Sequence, residues 1–130
     1  MKLIAQHCDG VSTHLLQWSM TAEGGFATIV AYWYEGQSRT SRTFQMDFSD
    51  ARIADVANLI RGLRPSYEGT ADDAPQYRLS VSIGAEQLET TVSNTVFWDD
   101  DSQSDMIRFR QAWEAIAGEV ENILSLPGRD

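Results

Sequence analysis

With 130 residues, 42% of them hydrophobic and 10% aromatic, the chain is too apolar to be disordered. It is long enough for a single domain, residues 1–130, that buries roughly two-thirds of its unfolded surface. The net charge of −9 lies wholly in the second half: residues 1–65 hold six acids and six bases, residues 66–130 thirteen acids and four bases, a balance that disfavours nucleic acid and anionic membrane and favours a basic protein as partner.

From the N-terminus, His14, Leu16, Trp18 and Met20 alternate as in a strand, although residues 15–18 also fit a short helix; strands are expected. After Gly24 and Gly25, residues 26–34 are β-branched and aromatic on both faces, which predicts a central strand covered on two sides or at an interface, with Trp33 and Tyr34 assigned to the core. Residues 35–38 turn the chain. Phe44, Met46 and Phe48 then alternate with Thr43, Gln45 and Asp47, completing a hairpin. Ser49 and Asp50 suit an N-cap, and Ile53, Val56, Ala57, Ile60 and Leu63 recur at helical spacing, predicting a helix over about 50–64 that Pro65 ends.

Residues 64–75 read as a loop within the domain. Tyr77, Leu79, Val81 and Ile83 alternate with Arg78, Ser80 and Ser82, and after a turn at 84–86, Leu88, Val92 and Val96 form a Thr-rich partner strand. Ser102 and Asp105 have capping-box spacing, and Met106, Phe109, Trp113, Ile116, Val120 and Ile123 step by three and four, predicting a helix over about 103–125. These elements predict an α+β fold: an antiparallel sheet built from hairpins, with the two main helices, about 50–64 and 103–125, packed on one face.

No stretch approaches the ~20 apolar residues of a membrane span, and the chain start lacks the apolar run of a signal peptide. Cys8 is the single cysteine, so neither an internal disulfide nor a cysteine zinc cluster is available, and a reducing cytoplasm is expected. There is no Gly-x-Ser-x-Gly elbow and no phosphate-cradling glycine loop, and Lys2 is the one lysine. His7, Cys8, Asp9 and His14 form the one cluster with acid–base or ligand side chains, but a cysteine is commonly a small buried hydrophobe, so no catalytic, metal or cofactor site is assigned. The acids from Asp99 to Asp105 start like a calcium loop, yet Ser104 stands where the sharp turn needs Gly and Arg110 where a bidentate Glu is needed. Capping of the following helix accounts for part of that run.

An aromatic beside carboxylates is the combination that makes interfaces tight and fast to form. Trp98 with Asp99, Asp100 and Asp101 is the first candidate partner-binding patch; Tyr67, Glu68, Asp72 and Asp73 are the second. Arg108, Arg110, Glu114, Glu119 and Glu121 read as the solvated face of the last helix.

With its strands, its closing Trp-bearing helix at 109–116 and the acidic turn at 98–101, the chain resembles the small acidic immunity proteins of bacterial toxin–immunity pairs. The resemblance rests on size, acidity and element order rather than on a motif. It implies a cytoplasmic inhibitor, not itself an enzyme, that occludes the basic active site of a cognate toxin or effector. Two alternatives stand beside it: an acidic chaperone of the type III secretion kind, and a small enzyme or ligand-binding domain using His7, Cys8 and His14.

Overall fold

The computed structural model describes residues 1–8, 17–68, 76–93 and 103–124. In chain order the elements are β1 (Lys2–Cys8), β2 (Gln17–Glu23), β3 (Phe26–Glu35), β4 (Ser38–Asp47), α1 (Asp50–Ile60), β5 (Ser66–Glu68), β6 (Gln76–Ile83), β7 (Glu86–Ser93) and α2 (Gln103–Leu124). The strands form one sheet in the order β4-β3-β2-β1-β6-β7-β5, antiparallel except where β5 runs parallel to β7. The α+β class and the antiparallel hairpins are as the sequence predicts.

Two-residue alternation decides what each strand buries. Leu3 and Ala5 of β1 lie between Ala22 and Met20 of β2 on one side and Val81 and Leu79 of β6 on the other. Ala27, Ile29 and Ala31 of β3 continue the same face beside Ala22, Met20 and Trp18, and every one of these side chains is buried. Full burial of a Leu, Ile or Met contributes about 1.5–3 kcal/mol, so this continuous face is the main source of stability. The β2–β3 connection is the two-residue turn Gly24 and Gly25, with φ of +73° and +95°, a left-handed pair that only glycine adopts without strain and that matches the twist of the strands.

Ser49 caps α1, its side chain accepting a hydrogen bond from the Arg52 N–H. Ile53, Val56, Ala57 and Ile60 are the helix's buried stripe. The helix ends at Ile60, earlier than the expected 64: the C-cap Arg61 is already extended, with φ −65° and ψ 127°, and Gly62 follows at φ +90°, so the chain has left helical geometry before Pro65 is reached. On α2, Met106, Phe109, Ala112, Trp113, Ile116, Ala117, Val120 and Leu124 are buried.

Polar contacts link the two helices. Arg52 of α1 reaches Glu119 at 2.7 Å and the Ala115 carbonyl at 2.9 Å, while Arg108 of α2 donates to the Arg61 carbonyl at 2.6 Å, supplying a partner at the end of α1. Among the described residues no helix is long and apolar enough to cross a membrane.

Two further expectations are corrected. Residues 26–34 are not covered on both faces: Ala27, Ile29, Ala31 and Trp33 are buried, but Phe26 is 51% exposed, Val30 41% and Tyr34 37%, so Tyr34 is a surface residue. Aromatic and β-branched residues suit a strand whichever way they face, so their presence does not report a second cover. Residues 66–68, expected as loop, form β5, held by backbone pairing to residues 91–93 of β7. The partner strand of the second hairpin ends at Ser93 within the described residues; Val96 and Ser102 lie outside them.

Candidate functional site

The strand register assembles one end of the sheet from distant parts of the chain. Cys8 of β1 pairs with Gln17 of β2 and with Gln76 of β6, Gln76 pairs with Ser93 of β7, and Ser93 pairs with Glu68 of β5. Residues 69–75, between Glu68 and Gln76, carry Asp72 and Asp73; residues 94–102, between Ser93 and Gln103, carry Trp98, Asp99, Asp100 and Asp101. Those six side chains lie outside the described residues. Their described flanking residues, Glu68, Gln76 and Ser93, are immediate neighbours on adjacent strands.

Tyr67, the remaining aromatic of the two patches, is a correction. Its side chain is 5% exposed, and its hydroxyl donates to Asp105 Oδ2 at 2.7 Å while accepting from the Arg64 N–H at 2.9 Å. The Arg64 guanidinium sits 4.5 Å from its ring centroid. Tyr67 therefore bolts β5 to the first turn of α2 and offers no open ring to a partner. Asp105, expected to take part in a capping box, directs a carboxylate oxygen at this hydroxyl. Glu68 is fixed by its backbone pairing to Ser93.

Beneath this end lies an aromatic layer. His7 stacks on Tyr77 at 4.9 Å between centroids and lies 6.0 Å from Trp18 and 5.9 Å from Trp113. Trp113 stacks on Trp18 at 5.3 Å and meets Tyr77 edge-on at 5.0 Å. Such ring pairs contribute roughly 0.5–1.5 kcal/mol beyond their burial, so the layer ties β1, β2 and β6 firmly to α2. The Trp18 indole Nε1 is buried there with no hydrogen-bond partner among the described residues.

Two open depressions flank the layer. One, of about 370 Å³, includes Gln6, Cys8, Gln17, Gln76 and Arg78 in its lining. Four of its polar side chains are engaged: Gln17 Nε2 lies 3.6 Å from Cys8 Sγ, Arg78 donates to Gln6 Oε1 at 3.4 Å, and Arg78 pairs with Glu89 at 3.1 Å. The other, of about 340 Å³, runs along α2 beside Tyr77, Phe109, Trp113 and Ala117.

Strand alternation breaks the cluster of reactive side chains noted in the sequence. His7 faces Trp18 and Tyr77, whereas Cys8, one residue on, faces the opposite side of the sheet beside Gln17. The His7 imidazole is thus not placed to take the Cys8 proton; Asp9 and His14 lie outside the described residues. Among the described residues no three His, Cys, Asp or Glu side chains gather closely enough to hold a metal ion.

At the opposite end of the β6–β7 hairpin, Arg61 grips Glu86 through two hydrogen bonds, Nε to Oε2 at 3.1 Å and Nη2 to Oε1 at 2.7 Å. Those bonds, reinforced by the guanidinium charge, hold the Glu86 carboxyl below the usual carboxylate range and raise Arg61. No family model matches the sequence, and no curated protein matches it.

Proposed function

We propose that the chain is a cytoplasmic protein-binding inhibitor of the immunity type, which binds a basic toxin or effector domain and neutralises it without doing chemistry of its own. One observation carries this reading: Glu68 and Gln76 both pair with Ser93, so the segments bearing Asp72, Asp73, Trp98, Asp99, Asp100 and Asp101 are rooted side by side at one end of the sheet. The roots lie on adjacent strands, about 4.8 Å apart; acids held within the roughly 8 Å Debye length of physiological salt would act on an approaching cation as one field. A basic cleft would be steered to that end as it would be to its own polyanionic substrate. Trp98 is the aromatic anchor in this scheme; Tyr67, being buried, supports the platform instead. The two helices, packed together on one face of the sheet, supply that platform with its stiffness.

The test is capture of a partner by the tagged full chain, using the product of the adjacent reading frame and the native lysate, followed by titration at two salt concentrations. A single basic toxin-like protein whose affinity falls with salt supports the proposal. Capture of an effector's extended N-terminal segment overturns it in favour of a secretion chaperone, and failure to bind any protein overturns both.

A further inference from the structure

Among the described residues the outer strand β4 is ten residues long, whereas β5, the outer strand on the other side, has three. Its hairpin determines which backbone groups face outwards. Gly36 and Gln37 make a two-residue turn from β3, and such a turn closes on a hydrogen-bonded pair, here Glu35 with Ser38. Even-numbered residues of β4 therefore direct their N–H and C=O groups at β3, and the bond from Phe48 N to Gly25 O at 3.0 Å keeps that phase. Arg39, Ser41, Thr43, Gln45 and Asp47 direct theirs away from β3, and all five residues are exposed. No proline interrupts the strand.

Such an edge is a template for another strand unless its side chains prevent pairing. Here they are complementary to the same edge reversed. We propose that β4 pairs antiparallel with β4 of a second copy of this chain, about a twofold axis through Thr43. Arg39 then lies opposite Asp47 of the other copy, twice by symmetry, Ser41 opposite Gln45, and Thr43 opposite itself. On the buried-side face Arg42 meets Phe44, a contact of the kind it already makes within the chain, where the guanidinium lies 5.7 Å from that ring's centroid.

Neighbouring registers lose this match. An axis at Arg42 sets two guanidinium groups against each other, and an axis at Ser41 or at Phe44 leaves Arg39 and Asp47 without opposite charges. Among the described side chains, the exposed charges on the sheet face that carries Arg39 and Asp47 are also balanced, with Lys2, Arg39 and Arg78 against Glu23, Asp47 and Glu89. Two copies of a chain with net charge −9 can therefore approach there without facing the acidic excess. This inference is independent of the toxin-binding reading, because β4 lies five strand positions from β7, roughly 24 Å at ~4.8 Å per strand, and pairing leaves the end carrying Glu68 and Ser93 accessible.

The experiment is sedimentation of the full chain across a concentration series, with R39D, D47R and an equimolar mixture of the two. Self-association is expected for the wild type, a weakening of at least about tenfold for each variant alone, since each sets like charges opposite one another, and recovery in the mixture, where every facing pair is again opposite. Thr43→Pro deletes an outward donor without touching a bond to β3 and should also yield monomers; far-UV circular dichroism checks that each variant folds. A monomeric wild type, a dimer indifferent to both charge variants, or a mixture no more associated than its components would each overturn the proposal. So would a monomer whose Thr43 and Gln45 amides are protected from hydrogen exchange, since another segment of the same chain would then occupy the edge.

Discussion

Replacing Tyr67 by Phe removes one hydroxyl and leaves the buried ring in place. That hydroxyl donates to the Asp105 carboxylate at 2.7 Å and accepts from the Arg64 N–H at 2.9 Å, so the variant loses a bond to a charged group and strips a backbone donor of its partner. Hydrogen bonds to charged groups contribute about 1.5–3 kcal/mol, and the half-buried setting places the expected loss near 2 kcal/mol. At about 2.1 cal/mol/K per residue, the unfolding entropy of 130 residues is roughly 270 cal/mol/K, which converts that loss to about 7 °C in Tm. Urea titration and calorimetry measure both quantities. A cycle with D105A should recover most of the loss as coupling between the two positions. Partner affinity should be unchanged at temperatures where the variant is folded. A loss below about 0.5 kcal/mol with additive effects, or a clear fall in partner affinity, would mean that Tyr67 faces outwards and that its role as a bolt is wrong.

Trp113→Ala should cost about 3–5 kcal/mol and collapse the near-UV circular dichroism, because Trp113 meets Trp18, Tyr77 and His7 at once. Ser49→Ala should cost about 1 kcal/mol in a urea titration, through the lost cap on the Arg52 N–H. Carbon-detected NMR titration should find Glu86 ionising below the usual carboxylate range and returning to it in R61A. Because the folded carboxyl is depressed, its contribution to stability is complete above the unfolded-state value and disappears as pH falls through the folded one; the pair is fully exposed, so the change in stability should be small.

Periodicity carried most of the fold. The β3–β4 and β6–β7 hairpins and both helices announce themselves because their apolar residues recur at two-residue or three-to-four-residue spacing. The strand β1 does not: Leu3 and Ala5 are its only fully buried apolar side chains, and its next inward residue is His7, so a central position in the sheet leaves little apolar signature. The short β5 is held by backbone pairing to residues 91–93, a tertiary contact invisible in the local sequence.

The candidate site was legible as composition rather than as geometry. Acid runs and Trp98 mark a surface from the sequence, but that their roots are neighbours depends on pairing Glu68 with Ser93 across 25 positions of chain. Tyr67 misled because an aromatic beside acids reads the same whether it is displayed or bound to Asp105, 38 residues away. His7 and Cys8 look like a cluster through adjacency alone, since consecutive residues of a strand face opposite sides.

The central proposal is that the end of the sheet carrying Glu68 and Ser93 recognises a basic protein. Its most direct test is the association rate of the captured partner, measured by stopped flow across a salt series, for the wild type and for a variant with Asp99, Asp100 and Asp101 all changed to Lys. Slower association and a flatter salt dependence in the variant are predicted, with a matching reversal of Glu114 and Glu121 on α2 having a smaller effect. An unchanged rate and an unchanged salt slope would show that the partner docks elsewhere.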